Sequence, residues 1–288
     1  MKVSLVLATV DRTHEVSRFL TSLAAQRYAD LELIVVDQNL DDRLVELLAV
    51  HQGALTIRHV RSARGLSKAR NVGLQFVSGE IVAFPDDDCW YPSGVLQLVT
   101  NMLSANRVWS GVTGRSEDGL GRSSGARFDA SPGAIDLNNV WTRGISYTIF
   151  LRREAADAIG LFDEELGVGA GTRFGSAEET DYLIRGIRAG LHIAYVPDLI
   201  VFHPNPTKVF DERTWRRARS YGAGMGRVLR KHRCRAGIVA TALIRPIGGA
   251  LLSATSGKLA KARYHWNVLR GRIEGLVATH SDVIGGRP

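Results

Sequence analysis

Short apolar runs and amphipathic stretches alternate along the first third of the chain. Val3–Thr9 is a continuous apolar run closing on polar residues, the pattern of a strand covered on both faces. Glu15 to Gln26 then places Val16, Phe19, Leu20 and Leu23 at helical spacing. Leu31–Val36 reads as a second buried strand ending at Asp37, and Asp42–Val50 as a helix with Leu44, Leu47 and Leu48 on one side. Leu55–Val60 is a weaker third strand, and Lys68 to Val77 a helix stopped by Ser78-Gly79. Ile81–Phe84 is a fourth strand running into Pro85-Asp86-Asp87-Asp88. Strands alternating with helices predict right-handed crossovers and a mostly parallel sheet flanked by helices, an α/β fold. The ligand site of such a sheet is expected beyond the carboxyl ends of its strands.

Periodicity fades over residues 107–150, which are rich in Gly, Ser and Arg and read as irregular with short hairpin pieces. Order returns with a strand at Tyr147–Leu151, a short helix at Arg153–Ile159 and a clearer one at Glu178–Ala189. Two strand pieces, His192–Val196 and Leu199–Phe202, are divided by Pro197-Asp198 and end at His203-Pro204. No internal repeat is present.

The strand ends share a chemistry. Thr9 and Asp11, Asp37, and Asp86 to Asp88 close three different strands. A single Asp there is commonly a turn or cap residue. Three consecutive aspartates after a buried strand repel one another unless a cation sits among them.

Composition adds a boundary. The 288 residues are 45% hydrophobic and 23% charged, values of a globular protein with a sizeable core rather than a disordered or fibrous chain. The formal charge of +8 is unevenly distributed: residues 1–203 hold 20 Lys+Arg and 25 Asp+Glu (−5), residues 204–288 hold 17 and 4 (+13). An acidic body therefore carries a basic tail. Cys89 and Cys234 lie far apart, arguing against a disulfide scaffold or a zinc ribbon and for a reducing, cytoplasmic setting. The first apolar run is short for a signal-peptide core.

The strand ending at Asp37, Gly65-Leu66-Ser67-Lys68-Ala69-Arg70-Asn71, Phe84-Pro85-Asp86-Asp87-Asp88, Glu178-Glu179-Thr180-Asp181 and His203-Pro204 together resemble glycosyltransferase family 2 in order and spacing, over roughly residues 2–205. The resemblance implies the Rossmann-like GT-A fold and a catalytic domain of 1–205. Its donor-binding half would be about 1–106 and its acceptor and catalytic half about 107–205, followed by a basic helical extension over 206–288. It implies Asp88 and His203 as residues holding Mn²⁺ or Mg²⁺, with Asp86 and Asp87 at the donor ribose and the metal's water shell. Thr9, Asp11, Asp37, Gly65 and Arg70 fall to the nucleotide-diphospho-sugar donor, which would be UDP-linked. Gln38-Asn39-Leu40 stands where the family has a second acidic residue and Gly-Ser. Glu179 aligns with the family's catalytic aspartate and is the expected base of an inverting hexosyl or deoxyhexosyl transfer, with Glu178 in reserve. Trp90 and Asp181 fall to the acceptor, a glycan or lipid-linked hydroxyl in cell-surface polysaccharide assembly.

In the tail, Trp215, Ala218, Gly222, Met225, Leu229 and His232 share a helical face among many arginines. An apolar segment at 238–254 follows, interrupted by Arg245-Pro246, and then a further amphipathic stretch around Trp266, Leu269, Ile273, Leu276 and Val277. These features predict contact with an anionic membrane surface, peripheral on the inner face. No nucleic-acid-binding motif accompanies the basic clusters, so no nucleic-acid partner is expected. Two other readings stand beside the transferase: a catalytically silent sugar-nucleotide or membrane-binding scaffold, and a nucleotidyltransferase. The latter calls for a Gly-rich phosphate loop where Ala8-Thr9-Val10-Asp11-Arg12 lies.

Overall fold

The structure, a computed structural model, describes residues 1–125, 127–205 and 209–279. These form two compact units, one of residues 1–64, 68–162 and 182–205, the other of 65–67, 163–181 and 209–279.

The first unit is an eight-stranded mixed sheet flanked by helices. Its strands are β1 (Val3–Thr9), β2 (Leu31–Asp37), β3 (Thr56–Arg61), β4 (Ile81–Ala83), β5 (Gly111–Glu117), β6 (Gly133–Ala134), β7 (Phe150–Arg152) and β8 (Ile193–Phe202), in the order β3-β2-β1-β4-β7-β5-β8-β6. The first four are mutually parallel, with Thr9 paired to Asp37 at the carboxyl edge. β7 runs antiparallel to β4 and β5, β5 is parallel to β8, and β6 closes antiparallel on β8. The helices are α1 (His14–Ala24), α2 (Val45–His51), α3 (Leu66–Leu74), α4 (Val95–Ala105), α5 (Val140–Arg143), α6 (Arg153–Ile159) and α7 (Glu178–Arg188).

Every residue of β1 is buried, as its unbroken apolar run requires. α1 buries Val16, Phe19, Leu20 and Leu23 against Leu5, Leu7, Leu33 and Val35 in the main core. β3 is weak in sequence because it lies at the sheet edge, where its side chains alternate outward.

The stretch expected to be irregular is the main departure. Gly111–Glu117 is a largely buried interior strand, hidden from hydrophobic pattern analysis by its composition. A Cβ on Gly114 would stand 1.9 Å from the Leu199 carbonyl oxygen, so glycine here marks close strand approach rather than looseness. The two pieces around Pro197-Asp198 form one strand, β8, whose register against β5 shifts between Thr113 and Arg115 and absorbs the proline.

The second unit gathers α8 (Glu212–Lys231), α9 (Ala236–Thr255) and α10 (Leu259–Val277) with the loop that precedes α7. α8 and α10 approach through glycines: a Cβ on Gly271 would meet the Arg219 carbonyl oxygen at 2.0 Å. Arg219 donates both Nε and Nη2 to Glu274 across this seam. The seam corrects one expectation. The apolar face of α8, including Ala218, Gly222 and Leu229, is buried within the unit and is not a membrane-facing surface. α9 is the exposed apolar helix, with Ile244, Ile247, Leu251 and Leu252 outward. Among the described residues it alone is long and apolar enough, by length and composition, to cross a membrane.

Candidate active site

At the carboxyl edge of the first unit's sheet, β1 and β4 deliver their polar ends to one place. Thr9 Oγ1 donates to Asp87 Oδ2 at 2.7 Å. Asp86 Oδ1 accepts from Arg70 Nη2 at 3.0 Å and from Ser146 Oγ at 3.2 Å. Arg70 is 1% exposed, and its guanidinium also lies 5.4 Å from the centre of the Phe162 ring, so its position is set by packing as well as charge. Asp88 Oδ1 meets His203 Nε2 at 3.1 Å, and Asp88 Oδ2 meets Arg12 Nη1 at 2.6 Å. The same Arg12 nitrogen donates to Asp87 Oδ1 at 2.6 Å.

The three aspartates, adjacent in sequence, have different electrostatics. Burial pushes Asp86 up, with Arg70 working against it. Burial likewise outweighs Arg12 and Thr9 at Asp87 and raises it to about 6. At Asp88 burial is overcome by the hydrogen bond and charge of His203 and by Arg12, which hold it well below the usual carboxylate range. His203 is raised in return: burial opposes its protonation, but Asp88 prevails.

Asp86, Asp88 and His203 each offer one ligand atom, all within 4.8 Å of one another. The donor set suits Mn²⁺ or Mg²⁺: two hard carboxylate oxygens and an imidazole nitrogen. His203 Nδ1 lies 2.8 Å from the Pro204 carbonyl oxygen, which can only accept, so Nε2 is the nitrogen turned to Asp88. Such a backbone partner is the usual orienting contact of a metal-binding imidazole. Tyr147 stacks on the same ring, with centroids 4.7 Å apart. The residues present fit the cation.

On the neighbouring strand, Asp37 is wholly buried. Its Oδ1 accepts from the Asn39 backbone and side chain, and its Oδ2 lies 2.9 Å from His59 Nε2 and 3.0 Å from Arg61 Nη1. Asp37 thus organises this strand end, and Asn39 and Arg61 are what it holds in place. Asp11 sits in the left-handed region (φ 58) with its carboxylate on Arg64 at 2.8 Å. Trp90 bridges to Phe202 through backbone hydrogen bonds in both directions and carries the Arg18 guanidinium 4.1 Å from its ring centre.

In the second unit, Gly65 (φ 133) starts a turn whose Leu66 and Ser67 bond to the backbone of Val168 and Leu166 in the glycine-rich loop. Glu178, Glu179 and Asp181 open α7, where the helix dipole favours acids. Glu178 is buried and Glu179 half-buried. Asp181 is wholly buried: Oδ1 accepts from His232 Nε2 at 2.8 Å and from Lys231 Nζ at 2.7 Å, and Lys231 also reaches Asp163 at 2.6 Å. Asp181, expected on the acceptor side, is thus enclosed by partners from the tail.

Sequence reasoning passed over Arg12, Ser146 and Tyr147. Arg12 follows the first strand end closely and was legible as a cation beside three anions. Ser146 and Tyr147 stand where the pattern begins a strand at Tyr147, but they form a short 3-10 turn, and the strand starts at Phe150.

A mixed sheet with acidic strand ends and a following His at its carboxyl edge is the architecture of GT-A glycosyltransferases. The chain superposes on S. aureus TarS 1-349 in complex with UDP-GlcNAc with a TM-score of 0.61 at 16% identity, covering 95% of this chain and 91% of that one. It superposes on the mannosyltransferase PcManGT from Pyrobaculum calidifontis, in complex with GDP-Man and Mn²⁺, with a TM-score of 0.65 at 16% identity, covering 96% and 87%. These likenesses concern the fold. The model of glycosyl transferase family 2 matches residues 4–160, more than half of the chain, and the protein belongs to that family. Among curated relatives, UDP-Glc:alpha-D-GlcNAc-diphosphoundecaprenol beta-1,3-glucosyltransferase WfgD of Escherichia coli is 29% identical over 106 residues, 36% of this chain. The match spans less than half of that relative's length, 42%.

Proposed function

We propose that the protein is a metal-dependent, inverting glycosyltransferase that moves a hexosyl or deoxyhexosyl group from a nucleotide-diphospho sugar to a hydroxyl of a glycan or lipid-linked acceptor. The observation that carries this is the Asp86–Asp88–His203 cluster at the carboxyl edge of the sheet. Asp88 and His203, with Asp86, would hold Mn²⁺ or Mg²⁺, which when bound neutralises charge on the leaving diphosphate. Arg70, fixed by Asp86, adds a permanent cation nearby, and Thr9 holds Asp87 in place. Asp37, through Asn39, His59 and Arg61, shapes the nucleoside end, with Asp11 and the Gly65 turn as further donor contacts. Glu179 serves as general base for the acceptor hydroxyl, with Glu178 as the alternative, and Trp90 offers an aromatic face to a sugar. A single displacement needs one such base and forms no covalent sugar–enzyme species.

A UDP-linked donor and a lipid-linked acceptor are supported by the name of WfgD, and the UDP-GlcNAc complex of TarS adds to the first. The exposed apolar α9 amid the basic tail supports a membrane-bound acceptor, and with it the reading of a protein that works at the cytoplasmic face of the membrane in surface-polysaccharide assembly. The test is transfer and donor hydrolysis with UDP-, GDP- and dTDP-sugars plus Mn²⁺, comparing wild type, Glu179→Gln and Asp88→Ala. Turnover by wild type with at least a hundredfold loss in both variants (about 3 kcal/mol) is expected. A wild type that binds nucleotide yet turns over no donor would leave the silent scaffold as the better reading.

A further inference from the structure

We propose that Arg12 is an exchangeable counter-cation: it neutralises the Asp87–Asp88 edge beside the position a divalent ion would take among Asp86, Asp88 and His203, and it transfers to the donor diphosphate when ion and nucleotide enter together. The inference rests on the metal-dependent reading above and goes beyond it, since no motif points to Arg12.

Four observations carry it. A single Arg12 nitrogen binds both Asp87 Oδ1 and Asp88 Oδ2 at 2.6 Å. Asp88 Oδ1 is turned to His203, so an ion held by these two residues would stand across the same carboxylate from the Arg12 guanidinium on Oδ2. Asp87 keeps Thr9 on its other oxygen when Arg12 leaves. Finally, the two arginines of the cluster differ in freedom: the Arg12 side chain is 39% exposed, whereas that of Arg70 is 1% exposed. Arg70 is fixed and Arg12 can swing.

The charge count explains why such a residue is useful. Three carboxylates, Arg12 and Arg70 sum to −1 when His203 is unprotonated, the form in which its Nε2 can ligate an ion. A divalent ion entering alone makes the half-buried cluster +1, and it lies within a few ångströms of a guanidinium on the same carboxylate. A diphosphate arriving with the ion restores negative charge and gives the guanidinium oxygens it binds well. Ion and nucleotide thus bind as a pair, and the ion alone binds poorly.

The test measures free Mn²⁺ by electron paramagnetic resonance during titration of the full chain, with and without UDP, for wild type, Arg12→Gln, Arg12→Lys and Asp88→Asn. Without UDP, Arg12→Gln should bind Mn²⁺ at least about tenfold more tightly than wild type, because a unit positive charge beside the ion is gone. Arg12→Lys should stay near wild type, and Asp88→Asn should bind nothing. With Mn²⁺ present, Arg12→Gln should bind UDP more weakly than wild type. If Arg12→Gln matches wild type without UDP while wild type still binds Mn²⁺ with UDP through Asp88, the role of Arg12 is overturned and the metal site stands. If neither wild type nor Arg12→Gln binds Mn²⁺ under any condition, both ideas fail. Thermal melts keep folding apart from binding, and Arg12 lies in a part-exposed loop whose replacement leaves the core intact.

Discussion

Replacing Asp181 tests whether the start of α7 is braced from the tail. The carboxylate is wholly buried and accepts at Oδ1 from His232, itself 4% exposed, and from Lys231, which also pairs with Asp163. Asp181→Ala removes a buried anion and leaves an imidazole and an ammonium facing an uncharged gap. A hydrogen bond to a charged group contributes about 1.5–3 kcal/mol, and losing one partner of a buried ionic set costs about 3–5 kcal/mol. We take about 3–5 kcal/mol, because Lys231 keeps Asp163. At about 2–4 °C per kcal/mol for a chain of this size, Tm should fall by roughly 6–20 °C. Asp181→Asn preserves an acceptor oxygen without the charge and should lose about half as much. Lys231→Met, which leaves the His232–Asp181 bond intact, should be the mildest of the three. The assay is thermal melting of the full chain by circular dichroism at fixed salt and pH 7. An Asp181→Ala melt within about 2 °C of wild type, less than one kcal/mol, would refute the bracing role.

The remaining predictions concern the sheet edge, the core and the tail. Asp87 has a folded pKa of about 6, above its ordinary value of 3.8. Its ionisation therefore costs stability as pH rises from 4 through 6, by up to about 3 kcal/mol at 1.36 kcal/mol per unit. Asp87→Asn should gain Tm relative to wild type as pH goes from 4 to 7.5; a constant difference across that range would contradict the burial argument. Asp88, held low, acts in the opposite sense: its contribution is present above its ordinary pKa and disappears in acid. Gly114→Ala forces a methyl to within 1.9 Å of the Leu199 carbonyl oxygen and should cost about 3 kcal/mol or more through strand displacement, read as lost soluble yield or lowered Tm. Leu251→Glu and Leu252→Glu, both on the exposed face of α9, should each weaken co-sedimentation with anionic vesicles by about tenfold with an unchanged melt. Unaltered sedimentation would remove α9 from the membrane reading.

The parts of the fold written in apolar periodicity were legible before any coordinates. β1, β2 and α1 followed directly from unbroken or helically spaced Val, Leu and Phe, and α6 appeared with the bounds read from the pattern. β5 escaped because its burial rests on glycine, threonine and serine, which carry no hydrophobic signal but permit tight strand approach. At the site, Asp88 and His203, expected together at a cation, lie side by side, and Asp86, expected at the donor ribose, joins them in one cluster. The surroundings of Asp37 and Asp181 could not be read from spacing, because both carboxylates are wholly buried. Their partners, His59 and Arg61 for the one and Lys231 and His232 for the other, are selected by tertiary folding and not by any local pattern. α8 misled for a related reason: an amphipathic helix reads alike whether its apolar side meets lipid or another helix.

The glycine seam of α8 and α10, together with the Lys231 and His232 contacts to residues 163–181, has a consequence for engineering. The tail is not an interchangeable address label. A chimera carrying a foreign C-terminal extension on this body would need an acid-binding pair matched to Asp163 and Asp181, or residues 163–181 transplanted along with it. Tail exchanges among such enzymes should therefore give a folded protein when the loop and the tail move as one cassette, and fail when the cut is made at the end of the sheet.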